Sequence, residues 1–96
     1  MQFLIIGRDG TDAEAPARRS ATRPAHIEGL NARNAAGEIV KVGALLDEAG
    51  NAVGSAMIGE FADRAAADAY VASEPYTKAG VWVTTEVTPL RLLSFD

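Results

Sequence analysis

The chain has 96 residues, 48% of them hydrophobic and 23% charged, with 13 acidic side chains against 9 basic ones and a formal net charge of −4. That is a globular composition, and the length suits a single domain over residues 1–96, with a core too small for generous stability. The acidic balance argues against a nucleic-acid surface as the main role, and the absence of cysteine excludes disulfides, thiolate nucleophiles and thiolate zinc sites while fitting a reducing cytoplasm.

Gln2 to Gly7 is a short run rich in Phe, Leu and Ile that ends at Gly-Arg-Asp-Gly. It reads as a strand apolar on both faces, hence central in its sheet. No basic region precedes it and no cleavage-like site follows it, so it does not read as a signal peptide. No apolar run approaches ~18 residues, so no membrane span is expected. Thr11 to Glu14 resembles a capping box, although Pro16 favours a helix that begins at Ala15 or Pro16. Either way the helix runs to about Ala36, with Gly37 as its stop.

Glu38 to Leu46 is β-branched and apolar, a second strand. Asp47 to Asn51 is a turn, and Ala52 to Phe61 is a third strand weakened by Gly54 and Gly59; the two strands read as a hairpin. Asp63 is placed to cap an Ala-rich helix from Arg64 to Ala72. Ser73-Glu-Pro-Tyr76 breaks that helix and leads through a short turn to Gly80. Val81 to Leu93 is the last strand, bent or frayed at Pro89. The order β-α-β-β-α-β predicts a four-stranded antiparallel sheet with two helices on one face. Yet the strands are apolar at both parities: Phe3 and Ile5 against Leu4 and Ile6, Val81 and Val83 against Trp82. The uncovered face predicts a homodimer, packed sheet on sheet or through extended edges.

The one histidine, His26, lies in the first helix. At about 100° per residue, Arg19, His26 and Arg33 fall on one line, with Arg23 and Leu30 on its flank. His26 therefore stands between a basic stripe and an apolar one. Pro24 removes the hydrogen bond to the Ser20 carbonyl, so the helix bends, or Thr22 caps a fresh segment. Two readings stand. His26 is a boundary residue beside a kink, or it is aimed into a pocket where it exchanges protons. Glu74 is the candidate to orient its ring, because the residue before a proline is held extended and a loop carboxylate can turn inward; otherwise it is a charged loop residue. Arg19, Arg23 and Arg33 are a solvated face or an anion-attracting rim. Ser55 sits mid-strand rather than on a nucleophile elbow, either a small strand residue or a pocket hydroxyl. Tyr76 and Trp82 are core or interface residues first and pocket walls second. Gly43 inside a strand suggests a close approach or a bulge that opens a pocket floor. No carboxylate cluster and no phosphate-cradling GxGxxG appears, so neither metal nor cofactor is expected.

Taken together, "MQFLIIGRDG", "RPAHIEGL", "GEIVKVGALL" and "GSAMIGEFADRAAADAYVASEPYTKAGVW" resemble the YciI-like (YCII-related) family of small bacterial proteins, over nearly the whole chain. The resemblance implies a ferredoxin-like α+β fold assembled as a dimeric α/β barrel, with a pocket in each subunit. It also implies a histidine–aspartate pair. The histidine falls on His26 and the acid on Glu74, one methylene longer than the family's aspartate. Ser55 and Tyr76 fall at pocket positions. Elimination-type chemistry on a small ring compound is linked to the family. The function expected is cofactor-free acid–base chemistry, lyase- or isomerase-like, on a small anionic or phenolic substrate, with His26 taking or donating the proton, Glu74 orienting its ring and stabilising the imidazolium, and Arg23 or Arg19 drawing in negative charge. The alternative is a dimeric small-ligand-binding module or accessory subunit without turnover.

Overall fold

The elements follow one another as β1 (Gln2–Asp9), α1 (Ala15–Ala35), β2 (Ile39–Leu46), β3 (Ala52–Glu60), α2 (Arg64–Ser73), α3 (Pro75–Lys78) and β4 (Trp82–Leu90) in a computed structural model that describes residues 1–95. All strand pairs are antiparallel, and the sheet order is β2-β3-β1-β4. This is the ferredoxin-like α+β arrangement. β1 is central, as its doubly apolar pattern requires.

Alternation along β1 decides what each face carries. Phe3, Ile5 and Gly7 pair with Gly59, Met57 and Ser55 of β3, on the face that the helices cover. Phe3, Ile5 and Met57 are fully buried there, with Leu30 of α1 and Phe61 packed against them. Each such side chain contributes about 1.5–3 kcal/mol by leaving water. Leu4, Ile6, Ala56 and Ile58 occupy the other face and are only half-buried. Gly7 is required by its neighbour: a Cβ there would sit 2.3 Å from the Trp82 ring, which lies across the strand.

Several local expectations change. The capping box does not form. Glu14 is the N-cap, in helical geometry and with no side-chain cap, and Pro16 occupies the first turn. Pro24 sits inside an unbroken helix, so Thr22 does not start a new segment; its hydroxyl donates to the Arg18 carbonyl at 2.9 Å instead. Pro24 is exposed, as is Ser20, so water can take up the carbonyl that the proline leaves free. Gly37 ends α1 with φ +79, a conformation glycine adopts freely. Gly43 is neither a close approach nor a bulge. A Cβ there would meet nothing within 4 Å, and the register shifts of β2 fall at Ile39/Lys41 and Leu45/Leu46. The break after Ser73 is a one-turn helix rather than a bare turn, and β4 closes at Leu90, with Pro89 paired opposite Phe3 on an edge strand that tolerates its missing N–H. Asp63 caps α2 as expected, accepting from the Ala66 amide at 2.8 Å.

Candidate functional site

Glu74 is the single residue between α2 and α3. Pro75 opens α3 and holds Glu74 extended, at φ −62 and ψ 132. That backbone turns the side chain inward, where it is 1% exposed. A carboxylate buried alone would cost several kcal/mol. Three donors meet this one: the Tyr76 amide at 3.2 Å, the Tyr70 hydroxyl at 2.8 Å and His26 Nδ1 at 2.6 Å. Tyr70 is fixed by the same contact. Burial first, and then the charge of Glu74, push its phenol well above the usual tyrosine value. It therefore remains a donor.

His26 reaches Glu74 from α1. At about 100° per residue, His26 and Pro24 point to nearly opposite sides of the helix, which puts the proline in water and the histidine in the core. The imidazole stacks on Tyr76, with centroids 3.8 Å apart and planes 12° apart, and Trp82 meets it edge-on at 5.9 Å. Stacking fixes the ring plane and Glu74 fixes its rotation within that plane. An ionised carboxylate only accepts, so Nδ1 carries a proton and, in the neutral ring, Nε2 carries the lone pair. Nε2 has no hydrogen-bond partner among the described residues, yet it is not among the sealed, unpaired polar atoms. His26 borders a cavity of about 200 Å³ between α1 and the β2–β3 side of the sheet. Its free nitrogen can accept a proton from a small molecule there and return it.

A second polar chain runs beside the first. Asp9, at the end of β1, binds Arg19 Nη1 through both oxygens at 2.9 Å, and both side chains are largely buried. Arg19 Nη2 donates to Ser55 Oγ at 3.3 Å, and its guanidinium lies 4.9 Å from the Tyr76 ring centre. Trp82 Nε1 also donates to Ser55 Oγ, at 3.3 Å. Arg23, one turn on from Arg19, lines the cavity, is exposed and forms no ion pair among the described residues. Burial raises the Tyr76 phenol, with Arg19 and Arg23 pulling against it.

The expected residues thus converge. His26, Arg23, Ser55, Tyr76 and Gly43 all border the one cavity. Glu74 does not; it stands behind the imidazole and touches the cavity only through it. Arg19 is no solvated residue, and Arg33 is likewise engaged, with Glu38 at 3.0 Å and the Tyr70 ring at 5.1 Å. Reading the residues alone missed Tyr70 and Asp9. Tyr70 lies one helical turn before Glu74, a spacing that could have found it. Asp9 carries no such signal, because only the fold brings a strand end to Arg19. A larger groove of about 660 Å³ runs past Asp9, Pro16, Leu46 and Val53, but neither His26 nor Glu74 reaches it. Among the described residues no three His, Asp or Glu side chains gather as metal ligands.

A ferredoxin-like sheet with a buried histidine–carboxylate pair beside a small cavity defines a pocketed α+β protein. The chain belongs to the YCII-related domain family, whose model matches residues 1–91. It is 30% identical over 97 residues to Protein YciI of Escherichia coli O6:H1, covering 95% of this chain and 97% of that one, and equally to Protein YciI of Shigella flexneri. Among solved structures it is similar to 5-chloro-2-hydroxyhydroquinone dehydrochlorinase (TftG) from Burkholderia phenoliruptrix AC1100 in complex with 2,5-dihydroxybenzoquinone, with TM-score 0.83, 26% identity and coverage of 95% and 94%. It also resembles an antibiotic biosynthesis monooxygenase at TM-score 0.55 and 19% identity, over 98% and 100% of the two chains, a likeness of fold alone.

Proposed function

We propose that this protein is a cofactor-free enzyme that moves a proton on a small oxygenated ring compound, a phenol, hydroquinone or hydroxyquinone, in an elimination or isomerisation. His26 Nε2 takes the proton of a ring hydroxyl. The oxygen's electron pair becomes a carbonyl bond, and the displaced ring electrons take the proton back from the imidazolium at a ring carbon, which completes an isomerisation; where that carbon bears an anionic leaving group, His26 then takes a second hydroxyl proton, a second carbonyl bond forms, and the group departs with its bonding electrons. Glu74 holds Nδ1–H and stabilises the imidazolium formed in between, so it acts as a positioning and charge-balancing residue. Arg23, the exposed cation at the cavity, attracts the substrate's negative charge. The observation that carries this reading is the 2.6 Å contact from His26 Nδ1 to Glu74, which leaves Nε2 as the free nitrogen. The similarity to a dehydrochlorinase whose structure holds 2,5-dihydroxybenzoquinone supports the substrate class. At about 200 Å³ the cavity suits one substituted ring, smaller than the ~300–1,000 Å³ of drug-sized sites.

The test is chloride release from chlorinated hydroxyhydroquinones. Wild type should turn over and His26→Gln should not, with its fold intact. Saturable binding of these compounds by wild type with no turnover of any of them would favour the binding-module reading instead.

A second copy of the chain is the proposed cover for the bare sheet face. Leu4, Ile6, Ala56 and Ile58 form its apolar centre, and the Arg8–Glu86 pair at 3.9 Å stands beside them. Ile6→Glu should turn a dimer into a monomer in sedimentation velocity. A wild-type monomer at high concentration would refute the arrangement.

A further inference from the structure

The hydrogen bonds at Ser55 determine which way its hydroxyl works. A serine hydroxyl has two lone pairs and one proton. Arg19 Nη2 and Trp82 Nε1, each at 3.3 Å, point N–H groups at the oxygen and occupy both lone pairs. Neither group can accept in return, because guanidinium and indole nitrogens only donate. Ser55 Oγ donates to no acceptor among the described residues, although the residue is 1% exposed. Its proton therefore has one place left, the cavity that Ser55 borders together with His26. Its cross-strand partners on that face are Gly7 and Ala44, which leave room around the hydroxyl.

Both donors are fixed. Asp9 clamps the Arg19 guanidinium through two oxygens, and the Trp82 indole lies so close over Gly7 that even a methyl group would not fit. Ser55 cannot reverse its role without breaking one of these bonds. A charged donor at a lone pair also polarises the O–H and strengthens the bond it gives.

We propose that Ser55 is a dedicated hydrogen-bond donor to the ligand, favouring an oxygen that accepts strongly, a quinone carbonyl or a phenolate, over the weaker acceptor of a neutral hydroxyl and over groups that only donate. Asp9, Arg19 and Trp82 are the positioning residues that set this polarity. The inference rests on the proposed function and adds a second anchor to it. When His26 takes a proton from one ring oxygen, negative charge spreads by conjugation to another, and a donor already aimed there stabilises it. The protons that change hands all pass through His26, and Ser55 keeps its own.

The probe is 2,5-dihydroxybenzoquinone, read by the infrared carbonyl stretch of the bound ligand. In wild type one carbonyl band should shift to lower frequency on binding. Ser55→Ala should lose the shift and bind about tenfold more weakly, the worth of one hydrogen bond. Ser55→Thr should keep the shift, and Ser55→Cys, a weaker donor, should show a smaller one, which preserves the test if the alanine variant folds poorly. His26→Gln should lose turnover and retain the shift. A shift that persists in Ser55→Ala, or its absence from wild type that binds the quinone, overturns the role of Ser55 and leaves the His26 base standing. Failure of wild type to bind the quinone overturns both.

Discussion

Replacing Glu74 by Gln separates the two things that the carboxylate does. The amide has the same length, so its oxygen can still accept from His26 Nδ1 and the Tyr76 amide, now at 2.6 and 3.2 Å from Oε1. Its NH₂ takes the place of Oε2, which faces the Tyr70 hydroxyl at 2.8 Å. Two donors would then meet, but the phenol can reverse: its oxygen accepts from the amide and its proton turns to Met57 Sδ, already 3.5 Å away. The network survives, and the imidazole keeps its tautomer and orientation. What is lost is negative charge. Hydrogen bonds to a charged group are worth about 1.5–3 kcal/mol against about 0.5–1.5 for neutral ones, so Glu74→Gln should destabilise by about 1–3 kcal/mol. The same charge stabilises the imidazolium that forms only during turnover, so kcat should fall by a factor of ~10²–10³ with KM little changed. Glu74→Ala differs. It strands His26 Nδ1–H, the Tyr70 hydroxyl and the Tyr76 amide, each at about 1–3 kcal/mol, a large share of a small domain's ~5–15 kcal/mol. The assay is urea denaturation of both variants beside chloride-release kinetics. A Glu74→Gln protein with wild-type kcat would refute the charge argument, and a Glu74→Ala protein of wild-type stability would refute the network.

Arg19→Met should destabilise by about 3–5 kcal/mol, because it leaves Asp9 buried and uncompensated; the double variant with Asp9→Asn should recover part of that in urea titrations, and simple additivity would show that the pair is not coupled. Gly7→Ala should destabilise by more than ~1–3 kcal/mol and alter the emission of the chain's one tryptophan, since the methyl meets the Trp82 ring; unchanged emission and midpoint would contradict the packing. Alkaline pH should unfold the protein. Burial raises both tyrosines, so the folded state holds protons that the unfolded chain releases above ~10; stability is complete below that value and lost as pH rises beyond it. Tyrosinate absorbance should therefore develop together with the loss of circular dichroism, and its appearance in the folded protein near pH ~10 would contradict the burial.

What could be read in the sequence was what short-range chemistry decides. The strand and helix order, the Asp63 cap and the Gly37 stop each depend on a few neighbouring residues, and the doubly apolar pattern of Gln2 to Gly7 identified a central strand. The apposition of His26 with Glu74 spans 48 positions, so spacing could not choose the partner; the extended residue before Pro75 made Glu74 the candidate, and the resemblance to a family pointed to the same residue. A pairing that the fold alone creates was beyond reach: Asp9 meets Arg19 because a strand end abuts a helix, whereas Tyr70, one helical turn before Glu74, lay within reach of spacing. Thr11 to Glu14 fits the capping-box pattern, but Pro16, placed in the first turn, goes with a start at Ala15. Gly43 suggested a tight approach, yet the space beside an exposed strand is open.

The central claim is that Nε2 of His26 faces the ligand as a base while Glu74 holds Nδ1. With one histidine in the chain, long-range proton–nitrogen NMR gives a single imidazole to follow. In the free protein with the ring neutral, Nδ1 should be protonated and Nε2 bare. Adding 2,5-dihydroxybenzoquinone should shift the Nε2 resonance toward the protonated position while the Nδ1 proton stays in place. A proton on Nε2 in the free protein, or an Nε2 resonance unmoved by saturating ligand, would contradict the account.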